Sequence, residues 1–202
     1  MKISIISGSH RENSQSSKVA NYIAKDLSSI DSSNQCNVID LANNPLPLWD
    51  ESVWSGGDVW KEKWSPIAQG LTESDAFVFV VPEWAGMVPP GFKNFVLLCG
   101  NDQLGHKPVM LVSVSGSRNG AYPIAELRMS ASKNNHAVFL PDHVIVRNAE
   151  SVLNGDKAAG EEDSYLRGRM NYSLKLLCQY SSKLSEIRSS AEIDFKAYGN
   201  GM

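Results

Sequence analysis

Two short stretches constrain this chain more than any other feature: residues 76–81 (AFVFVV) and 109–114 (VMLVSV). Both are almost continuously apolar, rich in β-branched residues and shorter than a typical helix. A strand with one wet face alternates between apolar and polar positions, whereas a strand covered on both faces reads as an unbroken apolar run. Such strands occur in parallel sheets packed between helices. Residues 3–6 and 36–41 read the same way. A weaker fifth strand is expected at 137–140, resuming at 144–146.

Helical patterns separate these strands. Residues 17–28 place Val19, Ala20, Ile23, Ala24 and Leu27 on one face, the stripe of an amphipathic helix. Residues 59–72 form a weaker candidate because Pro66 interrupts them. Helices are also expected over 91–99, 121–132 and 161–187, the last with Leu166, Met170, Leu174, Leu177, Tyr180 and Leu184 on one side. Strict strand–helix alternation predicts an α/β fold: three layers around a five-stranded parallel sheet with right-handed crossovers. Five strands fit the flavodoxin-like doubly wound order 2-1-3-4-5.

At 202 residues and roughly 150 residues per domain, one elaborated domain is expected. It covers residues 1–188. An insertion at about 43–65 is expected to be a loop with a short helix. It holds four of the five tryptophans, Trp49, Trp54, Trp60 and Trp64. These rings pack either on their own body or against a second subunit. Residues 189–202 lack periodicity and are expected to form a flexible tail.

Lys and Arg number 19 and Asp and Glu 22, for a net charge of −3. No clustered basic surface suggests nucleic acid as a partner. No apolar run is long enough to span a membrane, and the apolar start is too short for a signal peptide. A cytoplasmic protein is expected. Cys36, Cys99 and Cys178 match neither a disulfide framework nor a metal-ligand spacing, so no metal is expected. The glycine-flanked serine of hydrolase elbows is absent.

In an open parallel sheet, ligands sit beyond the carboxyl ends of the strands where the strand order reverses. That places the loops after Ile6, Val81 and Val114 around one crevice. The first, SGSHRENSQSS, runs into a helix and offers Ser9, Arg11, Ser14, Ser16 and Ser17. Helix N-terminal amides, hydroxyls and a guanidinium suit a phosphate, although Ser and Asn also simply cap helices. It is neither a Walker A loop nor the dinucleotide fingerprint. The second loop, PEWAGMVPPGFKN, is stiffened by three prolines and places Trp84 and Met87 beside Gly86. It suits a flat aromatic ligand or serves as an ordinary connection with Trp84 on the core. The third, SGSRNGA, is a glycine-rich turn or a second binding edge.

Together these pieces resemble the NADPH-dependent FMN reductase family of the flavodoxin-like superfamily. The correspondence runs through GSHRENSQS, PEWAGMVPPGFKN, GHKPVMLVSV and SGSRNGAYPIAELR, in that order, from residue 2 to about 140. The resemblance implies that Ser9, Arg11, Ser14 and Ser16, with Ser17, grip the FMN phosphate. It places Pro82, Glu83, Trp84, Ala85, Gly86, Met87 and Val88 along the ring system. Ser115, Gly116, Ser117, Arg118 and Gly120 fall on the ring's other edge. Trp84-Ala85 replaces the usual Tyr-Asn, Ser16 the usual Asn, and Met87 the usual Ser.

The implied activity is hydride transfer from NADPH or NADH to bound FMN. The electrons then pass to a small acceptor such as a quinone, free flavin, azo compound or metal oxyanion. No catalytic side chain is required of the protein. Backbone donors at Gly86, Met87 and Val88 are expected to stabilise charge on the reduced ring. Arg118 serves either that charge, the coenzyme phosphates or a surface salt bridge. His10 is read as loop surface. Related reductases imply a homodimer or homotetramer. The competing readings are a non-catalytic FMN electron carrier and a flavin-free interaction module on the same scaffold.

Overall fold

The computed structural model describes residues 1–43 and 45–201; Asn44, in the expected insertion, and Met202, in the expected tail, lie outside them. In chain order the elements are β1 (Lys2–Ser7), α1 (Gln15–Ile30), β2 (Gln35–Asp40), α2 (Ser52–Ser55), α3 (Asp58–Lys63), α4 (Ser65–Thr72) and β3 (Ala76–Pro82). There follow α5 (Pro90–Leu98), α6 (Asn101–Leu104), β4 (Pro108–Val114), α7 (Ala121–Ser130), β5 (Val138–Val146) and α8 (Glu161–Arg188).

The five strands form one parallel sheet in the order β2-β1-β3-β4-β5, as the alternation predicts. Every residue of β3 and β4 is buried. Strand alternation sends Phe77, Phe79 and Val81 into one layer with Phe92 and Phe95 of α5. Ala76, Val78 and Val80 enter the opposite layer with α1 and α8. Each fully buried Phe contributes roughly 1.5–3 kcal/mol. β2 is different: as an edge strand it alternates in burial rather than being covered on both faces.

Three local expectations are corrected. Residues 59–72 are not one helix. The chain breaks at Trp64, and Pro66 lies in the first turn of α4, where its missing N–H costs nothing. The fifth strand is continuous, but its pairing with β4 slips between Val109 and Leu111, so residues 140–142 bulge out. On α8 the buried face runs through Met170, Ser173, Leu174, Leu177 and Ser181, leaving Tyr180 exposed.

Trp60 and Trp64 are buried in the body, and Trp60 Nε1 donates to Ser52 Oγ at 2.7 Å. Trp49 packs edge-on against Trp54, which is 78 % exposed. Asn94 pins this region by accepting from Trp49 N–H and donating to the Pro47 carbonyl. Beyond Ser189, where a loose tail is expected, Phe195 stacks on His106 and lies tilted against His136, and Gly201 N–H donates to the Lys133 carbonyl.

The register aligns the carboxyl ends of the strands. Ser7 lies beside Asp40 and Val80, Pro82 beside Val114, and Val114 beside Val146. The three loops of interest therefore leave from one edge of the sheet.

Candidate functional site

The first loop begins at Gly8, whose N–H donates to the Val80 carbonyl and ties the loop to β3. A Cβ on Gly8 would lie 2.6 Å from the buried Phe92 ring, so only glycine permits this close approach. Ser9 is buried and its Oγ accepts from Arg11 N–H at 3.2 Å. Ser14 caps α1, its Oγ accepting from Ser17 N–H at 3.1 Å. Both hydroxyls thus use a lone pair on the loop and keep their own hydrogens for an incoming acceptor.

The N–H groups of Gln15 and Ser16 open α1 with no protein acceptor among the described residues. Ser16 Oγ is buried with no partner among the described residues. Arg11 is exposed and forms no ion pair among the described residues. The positive end of a 16-residue helix, unpaired donors and an exposed guanidinium together could hold an anion. A bound phosphate would give Ser16, after rotation about its side-chain bond, the acceptor it lacks. The residues present fit the phosphate of a mononucleotide.

Pro82 is the last residue of β3 rather than part of the loop. Trp84 and Met87 exchange both backbone hydrogen bonds, 3.0 and 2.9 Å, across Ala85 and Gly86. Positive φ at Ala85 (50°) and Gly86 (75°) makes this a two-residue hairpin of the type I′ class. Trp84 meets His10 edge-on at 4.5 Å, locking the second loop to the first. Met87 and Tyr122 are 57 % and 64 % exposed, and Tyr122 lies near Gly86. They give the mouth of the crevice an apolar rim.

The expected backbone donors need correction. Met87 N–H is spent on Trp84, and Val88 N–H donates to Glu126 Oε2 at 2.8 Å. Of the three, only Gly86 N–H lacks an acceptor among the described residues. Sequence reasoning missed Glu126. Burial raises its carboxyl pKa, but the Lys93 ammonium at 2.7 Å and the Val88 amide outweigh burial and hold it below the ordinary range. Glu126 and Lys93 thereby fix the end of the hairpin loop to α5 and α7.

Glu83 and Gly120 also turn out to be scaffold. Glu83 Oε2 accepts from Gly120 N–H at 2.9 Å and Tyr122 N–H at 3.3 Å, capping α7 and joining the second loop to the third. Gly120 has φ 109°, and a Cβ there would lie 2.5 Å from Ile145 Cγ2. In the third loop Ser115 Oγ accepts from Ser117 N–H. Gly116, Ser117 and Arg118 are exposed, and nothing lies within 4 Å of a Cβ on Gly116. Behind this loop, Lys18 of α1 donates to the Ala149 and Val152 carbonyls, and burial lowers its pKa.

A helix N-terminus with unpaired donors at the switch point of an open parallel sheet, faced by the loops after β3 and β4, is where α/β proteins of this topology bind their ligands. The chain belongs to the NADPH-dependent FMN reductase family, whose family model matches residues 1–151. It is 25 % identical over 173 residues to an FMN-dependent NADPH-azoreductase of Staphylococcus aureus, covering 84 % of this chain and 90 % of that one. Its fold is similar to an oxidoreductase from Corynebacterium diphtheriae (TM-score 0.73, 18 % identity, 90 % of this chain and 97 % of that chain). It is also similar to a flavoenzyme NAD(P)H:(acceptor) oxidoreductase from Paracoccus denitrificans (TM-score 0.70, 19 % identity, 89 % and 98 %).

Proposed function

We propose that this chain is an FMN-dependent NAD(P)H oxidoreductase that delivers electrons to a small acceptor. The observation that carries the reading is the α1 N-terminus, whose Gln15 and Ser16 amides, Ser16 hydroxyl and Arg11 guanidinium have no partner among the described residues. FMN, when bound, supplies the hydride-accepting and hydride-donating ring, so no strong acid or base is asked of the protein. In this reading Ser9, Arg11, Ser14, Ser16 and Ser17 hold the phosphate. Trp84 to Val88 form the wall along the ring, with Gly86 N–H as its one unspent amide among the three. Ser115 to Ser117 form the other wall, with the exposed Arg118 at its outer end facing the coenzyme. Pro82, Glu83 and Gly120 set the positions of these walls.

The exposed Met87 and Tyr122 beside Trp84 suit a flat, partly apolar acceptor such as a quinone or azo compound. FMN reconstitution followed by steady-state NADPH oxidation with a quinone or ferricyanide tests the reading. Turnover well above that of free FMN is expected. A yellow protein without such turnover would instead be an electron carrier, and a protein that takes up no flavin would be an interaction module.

The chain is also proposed to work in the cytoplasm as a homo-oligomer. No helix among the described residues is long and apolar enough to cross a membrane. With Trp60 and Trp64 buried in their own body, the oligomer reading rests on a second copy covering the groove of about 640 Å³ between α5 and α7, which exposed Leu48 and Leu97 line. A monomer by light scattering at micromolar concentration would overturn it.

A further inference from the structure

Arg118 and Arg147 lie at the carboxyl ends of β4 and β5, outward from the crevice between β1 and β3. The segment after β5 is laced onto the third loop by three hydrogen bonds. Asn148 N–H donates to the Ser117 carbonyl at 3.0 Å and Ala149 N–H to the Ser115 carbonyl at 3.1 Å. Arg147 Nε donates to the Arg118 carbonyl at 2.7 Å. That last bond fixes the Arg147 guanidinium beside residue 118 and leaves its two terminal nitrogens without a protein acceptor among the described residues.

Both arginines are exposed, and neither forms a salt bridge among the described residues. The acids of the adjoining segments form no ion pair with them among the described residues. Glu83 is committed to Gly120 and Tyr122, and Glu150 pairs with neither arginine. The Arg147 guanidinium, held beside residue 118, and the exposed Arg118 side chain put two positive groups without ion pairs among the described residues on adjoining loops. Strand spacing puts β5 roughly 10 Å beyond β3, within reach of an extended dinucleotide whose nicotinamide lies in the crevice. A phosphate monoester carries close to two negative charges at neutral pH and accepts charge-assisted bonds from several donors. A diester-like pyrophosphate offers only one charge per phosphorus.

We propose that Arg118 and Arg147 together bind the 2′-phosphate of NADPH and set this chain's preference for NADPH over NADH. The assignment rests on the reductase reading above and adds Arg147, which no sequence motif marks.

Calorimetric titration of the FMN-loaded protein with adenosine 2′,5′-bisphosphate and with AMP tests it directly. The bisphosphate is expected to bind at least tenfold more tightly. Arg147→Gln keeps a donor for the Arg118 carbonyl while removing the charge, and is expected to abolish most of that difference; Arg147→Lys should retain part of it. The ratio of kcat/KM for NADPH to that for NADH should fall at least tenfold in Arg147→Gln, through KM. Equal binding of the two nucleotides by the wild type, or an unchanged ratio in folded Arg147→Gln, would overturn the proposal. If the wild type oxidises both coenzymes without discrimination, the proposal fails and the reductase reading stands. If it oxidises neither, the reductase reading itself fails.

Discussion

Ala85 sits at φ 50° in the first central position of a type I′ turn, a conformation that favours Asn or Gly over alanine. Ala85→Asn is expected to raise stability by about 0.5–1 kcal/mol, from the cost of the left-handed region to an ordinary side chain. A higher urea midpoint with an unchanged slope would show it, and a lower midpoint would contradict the turn assignment. Gly120 is the converse case. At φ 109° with Ile145 blocking any Cβ, Gly120→Ala is expected to cost about 2–3 kcal/mol. Glu83 caps α7 from the neighbouring loop, so Glu83→Ala should cost about 1–2 kcal/mol and weaken FMN binding by loosening the third loop. Equilibrium unfolding and flavin fluorescence titration measure the two effects. Sequence marks these residues by their place in a motif but does not distinguish the scaffold from the ligand-facing groups. The carboxylate of Glu83 meets the amides of residues 120 and 122 only through the sheet register.

At the scale of elements, the buried strands and the amphipathic α1 were legible because their periodicities are strong. The helix break at Trp64 was foreshadowed by Pro66. The four-residue helices α2 and α6 carry too few turns for a pattern to emerge. The slip in β5 depends on its pairing with β4, which no local run of residues encodes. Likewise, the chain after Ser189 has no period of its own, yet the ring of Phe195 stacks on His106 and lies tilted against His136. His106 has its pKa lowered by burial first, then by the neighbouring His136 and Arg188. The unfolded chain therefore takes up a proton at higher pH than the folded one, and the stability contributed by neutral His106, fully present above about 6.5, is lost as pH falls below that value through the lower folded-state pKa. The wild type is expected to lose more stability than His106→Asn between pH 7 and 5. Asn suits the left-handed backbone at this position, where φ is 51°. Equal acid sensitivity of the two proteins would contradict this role for the imidazole.

For the whole molecule, parallel strands level at one edge place three loops over a single crevice. The strand order was legible because two unbroken apolar runs demanded cover on both faces, and alternation with helices left few topologies. The ligand class was legible only through the family resemblance that the three loops carry together in chain order, since each loop by itself also reads as an ordinary cap or connection. The lacing of Arg147 onto Arg118 was not, since it joins positions 29 residues apart through side chain and backbone. The central claim is that the N-terminus of α1 holds the phosphate of FMN while the two facing loops hold its ring. Fluorescence titration of the purified chain with FMN and with riboflavin, which lacks the phosphate, tests this most directly. One FMN per chain, bound at least a hundredfold more tightly than riboflavin, is expected, a difference of about 2.7 kcal/mol. Equal affinity for the two flavins, or no binding of either, would contradict it.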